Sequence, residues 1–424
     1  MSTASTFDRL MYPQGNKKFA FPKEAFYIRD NNKYASSLMT AAPFPLVDFR
    51  TVANAQNEWV ALLLRADSGA VMQALFGTPD LLAAIAPLDC IVQVSNATIL
   101  TPYLLTLLPP NRVLLAVAAH AFAQDGAARQ VVQLEASGYR VLVDGAAPEG
   151  VHVPPALRTL ARDCSADAPP PASLPALFGP HLAYNVATHA RLRACEAAGF
   201  GWFSGAWVTE HRPADPQLEF DDGTSRRRLL AMLALLARDA DSREIEAQLK
   251  QDPGLSYHLL KLVNSAAFSC GTPITSFGQA ISRIGRRQLQ RWLQLLLYAH
   301  QGPDGQPNLL LPLAALRGAL LEAMAKRDGL DRDAQDLAFM AGVFSLLDRL
   351  FHMPMPEVVR GLGLVPHVEE ALLRRSGLLG RRLRLAEANA VDAALLDGAA
   401  IDAAGWWRDQ LHAYHWAIQV ARNV

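Results

Sequence analysis

The chain has 424 residues, of which 51% are hydrophobic and 19% are charged, and its 40 basic and 40 acidic side chains give a formal net charge of zero. This balance is unlike the basic surface of a nucleic-acid-binding protein or the polybasic segment of a membrane-attached one. The four cysteines lie far apart and form no CxxC pair, which argues against a zinc site or a disulfide framework and favours a reducing compartment. The length predicts two or three domains, and no cofactor is expected.

The longest apolar runs, such as 100–108 and 309–316, fall short of the ~20 residues that cross a bilayer. The first residues also lack the charged and apolar regions of a signal peptide. We therefore predict a cytoplasmic protein with no membrane span and no nucleic-acid partner.

The first part of the chain is predicted to be an extension followed by a mixed α/β domain. Residues 1–45 show no sustained periodicity, whereas short apolar runs alternate with helical patterns from 46 to 213. This alternation is typical of parallel βα units and predicts a barrel or an open sheet. The strands are expected at 59–64, 91–94, 113–117 and 139–143, and the helices at 81–85, 127–134 and 190–197. The Pro-, Ala- and Gly-rich stretch 145–180 is a poor place for regular structure.

The second part is predicted to be an all-α bundle. Polar turn residues at 214–224 indicate a linker, and nearly everything from 225 to 424 has helical periodicity. Helices are expected at 229–236, 243–249, 287–298, 313–326, 337–351, 368–373, 379–385 and 406–420.

The run from Asp252 to Phe268, DPGLSYHLLKLVNSAAF, predicts a helix with an Asp cap and proline at its first position. The run closely resembles the signature of the HDOD domain, a helical relative of HD-type metal phosphohydrolases that lacks their metal ligands. The resemblance covers nearly all of 225–388. Ser345 and Leu346 stand where an active HD domain has its His-Asp doublet.

Residues 46–213 resemble the EAL domain, a modified TIM barrel whose active members hydrolyse cyclic di-GMP with two divalent cations. The motif residues are found in WVALLLR at 59–65, VSNAT at 94–98, AVAA at 116–119, GYRVLVDG at 138–145, AYNVAT at 183–188 and GFGWFSG at 199–205. Asn96 and Asp144 stand where the family has an Asn ligand and the first residue of an Asp pair. The family's acids are matched by Ala61, Ala116, Ala119, Gly145, Tyr184 and Ala187, and its Gln by Ser204.

This resemblance implies that the chain is not an enzyme. A two-metal phosphodiesterase needs several oxygen ligands to hold both cations and a water, and a methyl group offers none. No catalytic residue, cofactor-binding residue or metal ligand is therefore assigned.

Two groups of residues are candidate contacts for a ligand or partner. Arg286, Arg287 and Arg291 could bind phosphate or a carboxylate-bearing partner, although a solvated face with intramolecular salt bridges is the more common role of such a cluster. Asn264 and Ser265 end the signature helix, where a polar cap is the commoner explanation. Basic, histidine and aromatic side chains elsewhere are expected to be surface or packing residues.

Three functions from different classes remain open at this point. The leading one is a non-catalytic bacterial signalling scaffold that acts through contacts with unidentified signalling proteins, with its two halves docked together. The second is a receptor that binds cyclic di-GMP or another nucleotide without hydrolysis. The third is an active cyclic di-GMP phosphodiesterase.

Overall fold

The structure is a computed structural model that describes residues 44–168, 172–174, 178–211, 231, 234–235, 240–249, 286–298, 306–360 and 362–423. Nearly all of the predicted extension 1–45, the whole of the linker 214–224 and the signature run 252–268 lie outside these ranges, as does most of the predicted helix 229–236. Their boundaries therefore stay predictions.

The N-terminal part is a closed barrel of eight strands. The strands are β1 Arg50–Asn54, β2 Trp59–Arg65, β3 Asp89–Val94, β4 Val113–Ala118, β5 Arg140–Asp144, β6 Leu160–Asp163, β7 Leu182–Tyr184 and β8 Trp202–Phe203. Strands β2 to β8 run parallel to one another, and β1 pairs antiparallel with both β2 and β8 to close the ring. Of the two predicted arrangements, the barrel is confirmed.

Alternation along the strands separates the inside of the barrel from its outside, because successive side chains of a strand point to opposite faces. Leu62 and Leu64 join the core formed with the surrounding helices, whereas Ala61 and Leu63 join a separate apolar cluster inside the ring. The buried members of that inner cluster are Val52, Ala61, Leu63, Ile91, Leu114, Ala116, Leu142, Ala161 and Leu182.

Five helices lie among the described residues of this part: α1 Gly69–Phe76, α2 Asp80–Ala84, α3 Pro102–Thr106, α4 Ala127–Ala136 and α5 His189–Ala197. Short 3₁₀ turns at 97–99, 119–123 and 206–209 follow strand ends. The prediction of irregular structure throughout 145–180 is wrong in one place, because β6 lies there. Only Ala161 of its four residues is buried, so the strand carries no apolar run to reveal it.

In the part of the chain that the structure describes after 230, the regular structure consists of helices, and no strand occurs there. Its helices are α6 Ser242–Leu249, α7 Arg286–Leu296, α8 Leu310–Arg327, α9 Arg332–Phe344, α10 Leu347–Phe351, α11 Met355–Arg360, α12 Pro366–Arg374, α13 Gly377–Glu387, α14 Ala393–Ala399 and α15 Ala403–Asn423. Helices α11 and α14 were not predicted.

The single helix predicted at 337–351 is two helices, α9 and α10. Ser345 ends α9, and its hydroxyl donates a hydrogen bond of 2.7 Å to the carbonyl oxygen of Gly342. A serine that bonds to the preceding turn competes with continued helix, which explains the break.

Helices α8 and α9 touch at their backbones. A Cβ atom on Gly342 would lie 2.5 Å from the carbonyl oxygen of Arg317 and 2.6 Å from the Cα atom of Gly318. Only glycine fits this crossing, and the close approach brings α9 directly against the part of α8 that carries Arg317.

The barrel and the helical part share one hydrophobic core. Phe49, just before β1, stacks on Trp407 of α15 with ring centroids 5.1 Å apart, and the Val391 backbone N–H donates to Asp48 Oδ1 at 2.9 Å. Tyr414 is buried beside Phe49, with ring centroids 5.4 Å apart, and His415 Nδ1 lies 3.2 Å from the Ala84 carbonyl oxygen of α2. The last helix therefore packs on the barrel as well as on the bundle.

Candidate functional site at the mouth of the barrel

The carboxyl ends of β2 to β8 meet at one face of the barrel, which we call the mouth. In enzymes with this architecture, catalytic and ligand-binding residues follow the strand ends on this face. Because β1 is antiparallel, its first residue, Arg50, also lies at the mouth, paired in register with Leu63 of β2. The mouth is therefore formed by the carboxyl ends of β2 to β8 and by the start of β1.

Asp144, which the sequence analysis singled out, is the last residue of β5 and lies at the mouth. Its Oδ2 accepts a hydrogen bond of 3.1 Å from Gln93 Nε2, and its Oδ1 is buried with no hydrogen-bond partner among the described residues. Burial raises the pKa of Asp144, while the nearby Tyr184 hydroxyl, Gln93 and Arg162 act in the opposite direction. The carboxyl is therefore held by an amide and shielded from water.

Arg162 and Tyr184 complete the surroundings of this carboxyl. Arg162 Nη1 donates to the carbonyl oxygens of Val143 at 3.0 Å and Ala161 at 2.8 Å, which holds the guanidinium against the strands. Burial raises the pKa of Tyr184, and the negative charge of Asp144 adds to that shift. Tyr184 is therefore a neutral phenol at neutral pH.

The alanines of the motif comparison lie at different depths. Ala61 and Ala116 are fully buried inside the ring, among Leu63, Ile91 and Leu114. Ala119 is buried at the start of the 3₁₀ turn 119–123, and Ala187 lines the cavity described below. The two interior alanines have apolar neighbours, and neither offers an oxygen or a nitrogen atom from its side chain.

Asn96, the other retained motif residue, caps the 3₁₀ turn at 97–99. Its Oδ1 accepts the Thr98 backbone N–H at 2.9 Å. Asparagine commonly caps a helical turn in this way. The hydrogen bond engages the side-chain oxygen atom that would otherwise be available as a metal ligand.

A cavity of about 380 Å³ lies between the mouth and the helical part. From the barrel it is lined by the start of β1 and by the loops after β7 and β8, and from the bundle by α8, the end of α13 and Tyr414 of α15. We call it the interdomain cavity. Its polar lining includes Arg50, Asn185, Ser204, Arg317 and Glu387.

On the barrel side, the loops hold polar groups toward this cavity. Arg50 Nη1 donates to Asn185 Oδ1 at 2.6 Å, and Asn185 Nδ2 donates to Asp163 Oδ1 at 3.1 Å. Ser204 is 1% exposed, and its hydroxyl has no hydrogen-bond partner among the described residues. The next residue is glycine because a Cβ atom on Gly205 would lie 2.1 Å from the Val186 carbonyl oxygen.

On the helical side, a buried polar network faces the cavity. Arg317 Nη1 donates to Ser345 Oγ at 3.0 Å and lies 3.4 Å from Glu387 Oε1, and Arg375 holds both oxygens of Glu387 at 2.7 Å. Burial lowers the pKa of Arg317, and the charge of Glu387 opposes that shift. Ser345, which stands where an HD domain has a histidine, is thus bonded to an arginine.

The arginine cluster predicted at the start of α7 is engaged within the chain. Arg291 pairs with Glu322 at 2.6 Å and with Asp336 at 2.7 Å, and its guanidinium lies over the Phe339 ring. Arg287 pairs with Asp333 and Asp336. The Arg286 side chain, Asn264 and Ser265 lie outside what the structure describes, so the proposed contact role of the cluster stays a prediction.

Arg50, Arg317 and Glu387 were missed by the sequence analysis. A signal for Arg317 is present in the sequence, because it is the only charged residue in the otherwise apolar run from Leu309 to Leu321. A buried charge in such a helix requires a polar partner. Its partners are far away in sequence, and Arg50 is the first residue of a short strand with no motif of its own.

Two further observations concern metals and membranes. Among the residues that the structure describes, no group of three or more His, Cys, Asp or Glu side chains is placed to hold a metal ion. Within the same residues, every helix is too short or too polar to cross a bilayer.

Comparison with known proteins identifies an HDOD domain, whose family model matches residues 227–351. The curated relatives include the uncharacterized protein YuxH of Bacillus subtilis, 27% identical over 195 residues, which are 45% of this chain and 46% of YuxH. The cyclic di-GMP phosphodiesterase CdgJ of Vibrio cholerae is 28% identical over 209 residues, which are 49% of this chain and 47% of CdgJ. The chain thus spans about half the length of the curated relatives it matches.

Solved structures give only distant likenesses. A putative phosphohydrolase from Shewanella amazonensis has a TM-score of 0.34 at 16% identity, covering 46% of this chain and 93% of its own. The phosphodiesterase PaMucR, in complex with c-di-GMP, has a TM-score of 0.29 at 14% identity, covering 41% and 97%. An HDOD domain protein of unknown function from Geobacter sulfurreducens has a TM-score of 0.29 at 17% identity, covering 48% and 84%.

Proposed function

We propose that this protein is a non-catalytic bacterial signalling scaffold, in which a degenerate EAL-like barrel is joined to an HDOD bundle and the pair acts through protein contacts. The observation that carries the proposal is the chemistry of the mouth. Its motif positions offer one half-buried carboxyl, Asp144, and alanines whose side chains donate nothing to a cation.

Two divalent cations do not fit this set of donors. Magnesium and manganese take about six oxygen ligands each, and a two-metal hydrolase holds its ions about 4 Å apart with shared carboxylates. Asp144 already accepts a hydrogen bond from Gln93, and burial raises its pKa, which disfavours the ionised form that a cation needs. Asn96 Oδ1 is engaged with the Thr98 backbone N–H.

The packing of the helical part against the mouth also supports a scaffold. Leu309, Leu313 and Tyr414 line the cavity from the bundle, so the bundle packs against the side of the barrel formed by the start of β1 and the loops after β7 and β8. A chain built in this way presents its two halves as one body. The relative CdgJ gives the signalling context, since it is named as a cyclic di-GMP phosphodiesterase.

The aromatic rings of the terminal helix do not form the surface for a partner. Trp406 is buried, Trp407 stacks on Phe49, and Trp416 packs edge-on against Phe339, so these rings are used inside the chain. Apolar side chains that remain exposed on and around α12 and α13 are Val365, Leu373 and Leu378. We assign the partner contact to these helices.

The catalytic part of the proposal is tested by incubating the full chain with cyclic di-GMP and either magnesium or manganese. We expect product no greater than in a control without protein. Turnover above that control, abolished by Asp144→Ala, would show that an active site survives. Equilibrium binding of cyclic di-GMP to the same sample separates the scaffold from a receptor.

The partner surface is tested by affinity capture with the wild type and with Leu378→Asp. We expect proteins retained by the wild type to be lost from the variant, while the exposed Val132→Asp on α4 of the barrel behaves as wild type. Equal capture by all three chains would place the contact elsewhere.

A further inference from the structure

Two residues that line the interdomain cavity each carry a buried polar atom with no hydrogen-bond partner in the described part of the chain. Arg317 is 7% exposed and its Nε is unpaired, and Ser204 is 1% exposed with an unpaired hydroxyl. A buried donor without an acceptor is destabilising, so atoms of this kind are normally satisfied by a bound molecule or an ordered water. Ser204 lines the cavity from the barrel and Arg317 from the bundle, so one occupant could be shared by both.

Arg50 adds a third donor from the start of β1. Among the residues that the structure describes, its hydrogen-bond partner is the neutral amide oxygen of Asn185, at 2.6 Å. An arginine has five N–H groups and recognises phosphate and carboxylate through paired hydrogen bonds. Arg50 lines the cavity with no carboxylate against it in the described residues, unlike Arg287 and Arg291.

The charge of the lining favours an anion. Arg50 and Arg317 face the cavity together with one carboxylate, Glu387, and both oxygens of that carboxylate are already held by Arg375. Glu387 is therefore largely neutralised by its own arginine, and the field inside the cavity is positive. A positive field of this kind attracts a small anion.

We infer that the interdomain cavity binds a small organic or inorganic anion through a phosphate or carboxylate group, held by Arg50 and Ser204 from the barrel and by Arg317 from the bundle. The volume of about 380 Å³ is at the lower end of the range of small-molecule pockets, which suits a ligand of metabolite size. Such a ligand joins the two halves, because its donors come from both. The inference goes beyond the proposed scaffold, which does not require a ligand.

The test uses the full chain and two probes, inorganic phosphate and succinate, with sodium chloride at equal ionic strength as the reference. Calorimetric titration and thermal unfolding are measured for the wild type, Arg50→Gln, Ser204→Ala and a control, Arg140→Gln. Arg140 is a matched arginine at the opposite end of the barrel, where it pairs with Asp89 at 2.7 Å. The two probes distinguish a phosphate ligand from a carboxylate ligand.

We expect at least one probe to bind saturably to the wild type and to Arg140→Gln with equal affinity. Arg50→Gln should weaken that binding at least about tenfold, and Ser204→Ala about fivefold, because one loses a charged and the other a neutral hydrogen-bond donor. Ser204→Ala removes a group that has no protein partner, so it keeps the test decisive if Arg50→Gln is poorly folded.

The inference is overturned if neither probe binds saturably to the wild type, since the unpaired groups are then satisfied by water alone. It is also overturned if a probe binds Arg50→Gln and Ser204→Ala as tightly as the wild type, because the anion then sits elsewhere. Neither result bears on whether the protein hydrolyses cyclic di-GMP. Failure of the anion-binding inference can therefore be distinguished from failure of the proposed function.

Discussion

Replacing Trp407 by alanine should loosen the first strand of the barrel, although Trp407 belongs to the last helix. Its ring lies 5.3 Å from the Phe44 ring and 5.1 Å from the Phe49 ring, the second nearly parallel at 25°. These contacts hold the segment before β1 against α15. Trp407→Ala removes both at once and leaves the barrel sequence unchanged.

The expected loss follows from these contacts. Each aromatic pair contributes about 0.5–1.5 kcal/mol beyond its buried area, and truncation of a fully buried tryptophan costs about 3–5 kcal/mol. Trp407 is only half-buried, so we expect a total of about 3 kcal/mol. If that energy opposes local opening of β1, its amide protons should exchange about a hundredfold faster, at 1.36 kcal/mol for each factor of ten.

The assay is hydrogen–deuterium exchange followed peptide by peptide, with Trp416→Ala as the control. Trp416 is on the same helix and is also half-buried, but its ring packs against Trp292 at 6.0 Å and Phe339 at 5.4 Å, within the bundle. Both variants should weaken α15. Only Trp407→Ala should accelerate exchange in Arg50–Asn54 before the whole protein unfolds.

Two results would refute this reasoning. Unchanged exchange in Arg50–Asn54 for Trp407→Ala would mean that the terminal helix does not stabilise the barrel. Equal acceleration by both variants would mean that β1 responds to the general stability of the bundle and not to the aromatic contact.

Three further predictions concern the bundle. Burial raises the pKa of Asp409 to about 6, above its unfolded value of about 3.9, so the folded state binds more protons than the unfolded state between these two values. The free energy of unfolding should therefore fall by up to about 3 kcal/mol as the pH rises from 4 to 7. Urea titrations measure this, and Asp409→Asn should remove the slope. Glu387→Gln should lower the free energy of unfolding by about 3 kcal/mol in the same assay, because Arg317 and Arg375 lose their charged partner. The control Glu369→Gln, at an exposed position, should change it little. Equal effects of the two variants would show that the ion pairs of Glu387 do not stabilise the fold. Gly342→Ala should cost about 2 kcal/mol or more by forcing α8 and α9 apart. Gly398→Ala should be near neutral, because its Cβ atom would meet only the Arg381 side chain, at an ordinary contact distance of 3.9 Å. A neutral Gly342→Ala would contradict the close crossing.

The sequence predicted the parts of the fold that carry long apolar runs. Strands β2 to β5 were expected close to their observed positions, because each contributes several buried residues in succession. Strands β1, β6, β7 and β8 were not, since they have only two to five residues and few are buried. Closure of the ring depends on these short strands, so periodicity alone left the choice between barrel and open sheet open.

The candidate site divides in a similar way. Asp144 was singled out because it ends an apolar strand within a motif, and the structure brings it to the mouth. Arg50 and Arg317 are 267 positions apart in the chain and come to line one cavity only because the bundle packs on the barrel. The residue pattern within one segment does not show which distant segment will pack against it.

The contact between the last helix and the first strand has a consequence for synthesis on the ribosome. Domains fold as they emerge, amino-terminal part first, so the barrel strands are complete while residues 403–423 are still inside the ribosome or unmade. Until then Phe44 and Phe49 lack the ring that covers them, and the newly made barrel exposes an aromatic surface to chaperones. In a chain that ends before Trp407, the rings of Phe44 and Phe49 therefore stay exposed. Truncation at the carboxyl end thus affects the structure at the start of the barrel.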